Sequence, residues 1–168
     1  MNALSCHCKH LNTWIFDGLR SKCIVQPIGK VLFNNSLYSQ NIVIQGKVIA
    51  DWGLEPLIGV NIIANDSINL GVTRKDGCFL FETSLPVNKL SFLYVGMETA
   101  DLKLSDNCNH IELIMIADAT YDFMSFRKVN KIRRKIYKKL PRLHKEAYKK
   151  GIFQSLEVCY IREFSEYK

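Results

Sequence analysis

The first residues with a capacity for chemistry are thiols and imidazoles near the N-terminus. The run Cys6-His7-Cys8-Lys9-His10, with Cys23 further on, contains residue types that bind zinc or copper. Tetrahedral zinc sites usually combine two closely spaced ligand pairs, and no second pair follows here. We therefore predict no metal site and no cofactor, and we interpret this segment as mobile with exposed thiols. A metal-dependent enzyme that uses these Cys and His residues is the alternative.

Acid, base and nucleophile candidates are scattered. Nucleophilic catalysis needs a Ser or Cys activated by a base and an orienting group. His110 and His144 lie outside the N-terminal region, and neither has a motif such as Gly-x-Ser-x-Gly nearby. Asp101, Asp106 and Glu112 are typical of edge or loop residues that keep a surface soluble. The sequence therefore predicts no catalytic residues, and we interpret the chain as a non-enzyme.

Positive charge is concentrated in one segment of the chain. The net charge is +7, but residues 127–150 contain twelve Lys or Arg residues against one carboxylate, Glu146, so this segment carries +11 and the remainder −4. Steps of three or four residues place seven of these cations on one side of a predicted helix. The predicted partner-binding residues are Arg127, Lys131, Arg134, Lys138, Arg142, Lys145 and Lys149.

Three kinds of partner are compatible with this stripe: nucleic acid, an anionic membrane surface, or an acidic protein. The alternative without a partner is a solvated helix face. Solvated faces usually mix both signs, which allows stabilising i,i+4 ion pairs, and this face hardly does. We favour a protein or an anionic surface over nucleic acid, because no recognised nucleic-acid-binding fold accompanies the helix. The oligomeric state stays open.

The middle of the chain has the pattern of strands and turns. A hydrophobic fraction of 48% and a charged fraction of 23% are typical of globular chains. Seven short apolar segments, separated by Gly, Pro and Asn, predict a mainly β fold, a seven-stranded antiparallel β-sandwich. We expect Asp76-Gly77 to close a hairpin and most of the six cysteines to be free thiols. The strands are predicted around Ile42–Val48, Val60–Ala64, Leu70–Val72, Phe79–Phe81, Leu90–Tyr94, Leu102–Leu104 and Ile111–Met115.

After residue 117 the apolar period changes to that of a helix. We expect Asp118 or Thr120 to cap its start. Pro141 predicts a kink, or two helices that meet at Leu140, and Gly151 predicts the end. Residues 152–168 are predicted to add a strand. The apolar side comprises Phe123, Phe126, Val129, Ile132, Ile136, Leu140, Leu143 and Ala147.

The strand region resembles the carboxypeptidase-regulatory-like domain, a transthyretin-like (prealbumin-like) β-sandwich common in Bacteroidetes surface proteins. The resemblance covers about Ile42 to Ala117 and implies an accessory module without catalytic residues. The basic tail lies outside the family pattern. The matching segments are Gly46-Lys47-Val48, Glu55-Pro56-Leu57-Ile58-Gly59-Val60-Asn61-Ile62, Gly71-Val72-Thr73, Asp76-Gly77-Cys78-Phe79 and Ser91-Phe92-Leu93-Tyr94-Val95-Gly96-Met97-Glu98-Thr99.

These observations predict three parts: an irregular N-terminal arm (1–40), a carboxypeptidase-regulatory-like β-sandwich (41–117) and a basic helical tail with a possible terminal strand (118–168). We expect a non-catalytic binding or assembly module of the bacterial cell envelope, in the periplasm or at the outer membrane. No apolar run is long enough for a transmembrane helix. The first eight residues lack the apolar stretch of a secretory signal, so the cytoplasm is the alternative compartment.

Overall fold

The structure, a computed structural model, describes residues 41–119 and 121–166, which belong to one compact unit. It is mainly β, with eight strands in two sheets and two helices. The predicted N-terminal arm and its Cys and His residues lie outside the described residues. In chain order the elements are β1 (Ile42–Ala50), β2 (Asn61–Ala64), β3 (Ile68–Val72), β4 (Cys78–Thr83), β5 (Lys89–Leu93), β6 (Ala100–Leu104), β7 (His110–Met115), α1 (Phe126–Tyr137), α2 (Leu140–Lys149) and β8 (Tyr160–Arg162).

The two sheets have the strand orders β4-β1-β7 and β3-β2-β5-β6-β8. The seven predicted strands all form, but the prediction of a purely antiparallel arrangement is wrong, because β1 and β7 are parallel, from Gln45 opposite His110 to Ala50 opposite Met115. The strand predicted within residues 152–168 forms as β8 beside β6, which brings the number of strands to eight. Between β1 and β7 the chain also forms strands of the second sheet. The alternation of side chains shows which face of a strand is buried, so it could not predict that β7 pairs with β1.

The Asp76-Gly77 turn forms, but it does not close a hairpin. Gly77 has a positive φ of 73°, and its N–H donates to the Arg74 carbonyl at 2.9 Å. The flanking strands β3 and β4 belong to different sheets, so the turn is a corner between them. A Cβ at Gly77 would lie 2.5 Å from the carbonyl oxygen of Val48, so only glycine fits there without a backbone shift.

The two sheets share one hydrophobic cluster. Alternate residues of β1, such as Ile44 and Val48, are buried together with Ile62 of β2 and Phe92 of β5. Successive side chains of a strand point to opposite faces, so each of these strands contributes every second residue to this interior. Full burial of a side chain of this size contributes about 1.5–3 kcal/mol, and this cluster is therefore the main source of stability in the β region.

A second cluster covers the other face of the three-stranded sheet. Ile49 of β1 and Ile114 of β7 pack with Leu54, with Ala147 of α2 and with Phe153, which follows α2. All residues of β7 after the first are consequently buried. α2 is therefore packed on the sheet by its apolar side.

The helical region forms two helices, which is one of the two predicted alternatives, and its predicted end at Gly151 is also confirmed. α1 and α2 are separate helices that meet beside Leu140, with Pro141 in the first turn of α2. Proline is tolerated at that position because the N–H it lacks would have no intrahelical partner. Gly151 follows α2 with a positive φ of 69°, which is the left-handed conformation common after helix ends.

The predicted start of the helix is wrong. α1 begins at Phe126, with Ser125 as N-cap, so Asp118 does not cap it; Thr120 lies outside the described residues. Phe123 is fully exposed and has a positive φ of 61°, a backbone conformation that a helix cannot continue through. It therefore does not belong to the apolar side, and Phe126 is itself 58% exposed.

Side chains of β8 donate hydrogen bonds to backbone carbonyls on the outer edge of β7. The Tyr160 hydroxyl donates to the Glu112 carbonyl at 2.7 Å, and Nη1 of Arg162 donates to the Ile114 carbonyl at 2.6 Å. β7 ends its sheet, so these carbonyls have no neighbouring strand to accept from. The edges of the two sheets are thus joined by side-chain hydrogen bonds rather than by a ladder.

A disulfide bond joins the same two regions. Cys108, just before β7, is bonded to Cys159, just before β8, with the Cα atoms 5.4 Å apart and a sequence separation of 51. The expectation that most of the cysteines are free thiols is wrong for these two, and Cys78 is also disulfide-bonded. Residue spacing cannot reveal a bond between segments that only the fold brings together.

No helix among the described residues is long and apolar enough to cross a membrane.

Candidate functional site

The predicted partner-binding residues are all exposed. Val129 of α1 is buried, whereas every cation of α1 except Arg133 is exposed. Arg127, Lys131, Arg134 and Lys138 line one shallow hollow of about 540 Å³ along α1. The other three lie on α2, outside that hollow. The whole set, which we call the basic face, comprises Arg127, Lys131, Arg134, Lys138, Arg142, Lys145 and Lys149.

Most of the positive charge on the helices is uncompensated. Of the twelve Lys and Arg residues in 127–150, eleven are exposed. Within the described residues, only two of these eleven have a carboxylate in ion-pair distance: Arg134 pairs with Glu166, and Lys150 lies 2.8 Å from Glu146. The hydrogen bond from Lys150 lowers the pKa of Glu146. Nine cations remain without a carboxylate partner among the described residues, and an anion bound to them would relieve their mutual repulsion.

Arg133 is the one cation of this segment that points inward. Its Nε lies 2.7 Å from Oε1 of Glu98 and its Nη2 lies 3.2 Å from Oε2, a bidentate pair in which both side chains are about nine-tenths buried. Nη1 donates to the Ser165 carbonyl at 2.6 Å. The Glu98 carboxylate raises the pKa of Arg133 against the opposing effect of burial. This pair ties α1 to the loop between β5 and β6.

The spacing of the apolar residues contains a signal for Arg133 that the sequence analysis missed. Arg133 is four residues after Val129, which is fully buried, and three before Ile136, so it belongs to the apolar side of α1. A cation at such a position has to find a buried partner.

The chain after β8 also holds α1. The Phe164 ring meets the Tyr137 ring edge-on, with centroids 4.9 Å apart. The guanidinium carbons of Arg133 and Arg134 lie 5.2 and 5.5 Å from the Phe164 centroid, within the range of a cation–π interaction. Tyr137 therefore packs within the fold. The position of the basic face is fixed by two contacts of α1, one with Glu98 and one with Phe164.

Glu112 is buried rather than a solubilising surface residue, so that prediction is wrong. Its side chain is 4% exposed. Its two oxygens accept the backbone N–H groups of Gln154 at 2.5 Å and of Ser155 at 2.9 Å. The physical reason is the position of β7, which is covered on both faces. Glu112 is flanked by apolar residues, Ile111 before it and residues 113–117 after it, and such a sequence is the signal for a strand buried on both faces.

Glu112 and His110 each shift the pKa of the other. Burial opposes ionisation of Glu112, but the contact with His110 and the two backbone N–H groups outweigh it and lower its pKa from 4.5. Nε2 of His110 lies 3.3 Å from Oε1 of Glu112, close enough for ionic attraction although the geometry is not that of a hydrogen bond. The attraction raises the pKa of His110 above 6.5, against the effect of partial burial.

The remaining acid and base candidates differ in their surroundings. His144 is buried against Phe153, with its Nε2 3.0 Å from the Ser155 carbonyl. Asp101 accepts a hydrogen bond from the Ser91 hydroxyl at 2.5 Å, and Asp106 is exposed. Within the described residues, no three Cys, His, Asp or Glu side chains come together as metal ligands. The structure does not bring these candidates into one reactive cluster.

No protein-family model matches the chain, and no curated protein matches it in sequence. The basic face is therefore the feature on which a proposal for the function depends.

Proposed function

We propose that this chain is a non-catalytic binding or assembly module of the bacterial cell envelope. In this proposal the β region is a transthyretin-like sandwich of the carboxypeptidase-regulatory-like kind and acts as the scaffold. The two helices present the basic face to an anionic surface or an acidic protein. The observation that carries the proposal is the set of nine exposed cations on the helices with no carboxylate partner among the described residues.

The scaffold role is supported by the common interior of the two sheets. Residues from both sheets, for example Val48 and Leu90, are fully buried in one cluster, as the interior of a sandwich requires. The resemblance implies a module without catalytic residues. The buried polar side chains agree with that role, since Glu98 and Glu112 are both occupied in holding the helices and the C-terminal segment to the sheets.

The envelope location is supported by the disulfide bond between Cys108 and Cys159. Disulfide bonds persist in oxidising compartments such as the periplasm and are rare in the cytoplasm. The cytoplasm is the alternative that this bond disfavours.

The electrostatic nature of the face predicts how it binds. Leu143 and Ala147 of α2 pack against the sheet and Val129 of α1 is buried, so these apolar residues are not free to insert into a bilayer. Attraction of a basic residue to an anionic surface is worth about 1 kcal/mol and falls off within a Debye length. Binding should therefore be strong at low salt and weak at high salt.

The test is charge reversal at two cations without ion pairs, Lys131→Glu with Lys138→Glu. Loss of two such contacts lowers affinity by about 30-fold. Binding is measured by co-sedimentation with vesicles containing anionic phospholipid and by fluorescence anisotropy with a labelled polyglutamate peptide, each over a salt series. The matched control is Arg74→Glu with Lys75→Glu, which makes the same charge change at exposed residues of the corner between β3 and β4.

The proposal expects the α1 variant to lose affinity for vesicles or peptide while the control variant keeps it. Equal losses in both variants would show a response to net charge alone, and no binding of the wild type at low salt would refute the proposal. Duplex DNA is the third probe. A preference for DNA over both other probes would favour the nucleic-acid alternative.

A metal-dependent enzyme stays as the other alternative, and its proposed ligands lie outside the described residues. Metal analysis of purified protein tests it. A stoichiometric metal that Cys6→Ser with Cys8→Ser removes would favour the enzyme.

A further inference from the structure

A second concave site shares no residue with the hollow described above. It is a cleft of about 580 Å³ between β7, the start of α2 and the segment 156–162. Its volume lies in the range of small-molecule sites. The wall is mostly apolar, with Leu113, Leu140, Pro141, Leu156, Val158 and Tyr160 among the residues that form it.

Arg162 is the one Lys or Arg in the wall of the cleft. Its Nη1 donates to the Ile114 carbonyl, but its Nε and Nη2 are buried and make no hydrogen bond within the described residues. The guanidinium carbon lies 4.9 Å from the Tyr137 centroid. No described carboxylate lies within ion-pair distance of it. Buried donors without acceptors destabilise a protein, so this guanidinium has unused capacity for an anion.

The other polar groups of the cleft do not supply that anion. Glu157 is exposed and forms no ion pair among the described residues. His144 uses Nε2 on the Ser155 carbonyl, and a carbonyl only accepts, so this nitrogen carries a proton. The cleft therefore combines a mostly apolar wall with the Arg162 guanidinium, which has no carboxylate partner among the described residues, and with the exposed Glu157 carboxylate.

We infer that the cleft binds a small apolar carboxylate, an acyl or aryl acid whose head group pairs with Arg162. A carboxylate matches the planar fork of a guanidinium and can accept two hydrogen bonds from it. The body of the ligand then lies against Leu140, Leu156 and Val158. Nε and Nη2 are closed to bulk water, so pairing requires the Arg162 side chain to rotate toward the cleft.

The test is calorimetric titration of the full chain with octanoate and with 3-phenylpropanoate, which separate an acyl from an aryl source. The neutral analogue 1-octanol is the comparison ligand. A charge-assisted hydrogen bond predicts that octanoate binds at least about tenfold more tightly than 1-octanol. Backbone amide NMR shifts are expected to move in 137–144 and 156–162.

Two variants separate the cleft from the overall fold. Val158→Trp fills the cleft from an exposed position, and Ile161→Trp adds the same bulk at a β8 residue outside the cleft. We expect the first to abolish carboxylate binding and the second to leave it unchanged. Arg162→Met should weaken octanoate but not 1-octanol. It also removes the bond to Ile114, so Val158→Trp is the decisive variant.

The inference is overturned if octanoate and 1-octanol bind equally, if Val158→Trp keeps full affinity, or if neither carboxylate binds at about 10 mM, a weak limit for ligands of this size. The Lys131→Glu with Lys138→Glu variant should bind octanoate normally. A loss there would assign the carboxylate to the basic face instead.

Discussion

Glu112 is the residue whose protonation couples most directly to the fold. Its carboxylate holds the chain after α2 through two backbone N–H groups, and the folded protein lowers its pKa. A carboxylate with a lowered pKa contributes stability above its unfolded pKa, and that contribution is lost as the pH falls through the folded pKa. His110 has a raised pKa and so contributes below about 6.5, with loss as the pH rises. The two residues together therefore stabilise the folded protein most between the unfolded pKa of Glu112 and about pH 6.5.

We predict that Glu112→Gln lowers the free energy of unfolding by about 2 kcal/mol at pH 6, because charge-assisted hydrogen bonds to buried N–H groups are lost. The difference from wild type should shrink as the pH falls through the lowered pKa of Glu112, where its carboxylate becomes protonated. Urea unfolding between pH 3 and pH 8 measures it. The companion variant His110→Gln should differ from wild type at pH 6 and converge with it in alkaline solution. A difference for Glu112→Gln that stays constant over the whole pH range would contradict the role of its charge.

At the scale of elements, α1 depends on one buried ion pair for its position. Arg133 and Glu98 are buried together and form two hydrogen bonds. Taking both charges out of water is costly, so the pair specifies where α1 sits rather than adding much net stability. Removal of one partner, however, leaves the other charge buried and alone.

We predict that Arg133→Met destabilises the protein by about 3–5 kcal/mol. Combining it with Glu98→Leu should recover most of this loss, because no unpaired charge then remains. The control on the same helix is Arg134→Met, which breaks an exposed pair with Glu166 and should cost less than about 1 kcal/mol. A double-mutant cycle by urea unfolding gives the coupling energy. Additive effects of the two substitutions would show that the pair does not position α1.

At the scale of the whole molecule, the two sheets and the helices are joined at the β7 edge. β8 side chains bond to β7 carbonyls, and the disulfide bond closes the same seam. The segment from β7 to β8 contains both helices, so the bond encloses every element that carries the basic face.

We predict that Cys108→Ser with Cys159→Ser lowers the free energy of unfolding by up to about 4 kcal/mol, as expected for a crosslink that closes a loop of this length. The variant should keep its β signal in circular dichroism at low temperature, because most of the shared core is formed by strand residues other than Cys108. Mass spectrometry of unreduced tryptic peptides checks the pairing itself. A linked peptide that joins Cys108 to a different cysteine would contradict the fold at this seam.

Local features of the chain could be predicted from the sequence. The seven strands between Ile42 and Met115 lie where alternating residues place them, two helices meet beside Pro141, and Gly151 follows the second. The seven residues of the basic face are exposed because helical periodicity separates them from the apolar side. Each of these properties depends on neighbours within a turn or a strand.

Partnerships between distant segments required the tertiary structure. The parallel pairing of β1 with β7 joins Gln45 to His110, and the bond between Cys108 and Cys159 spans a similar separation. Glu112, Arg133 and Arg162 acquire their roles only when other elements enclose them. Periodicity along a chain indicates which side of a helix or strand is apolar, but not which other segment will cover it. Because the free-energy cost of closing a long loop changes little with its length, many alternative strand pairings cost nearly the same. The choice among those pairings is made by packing of the complete core, and no short stretch of sequence contains it.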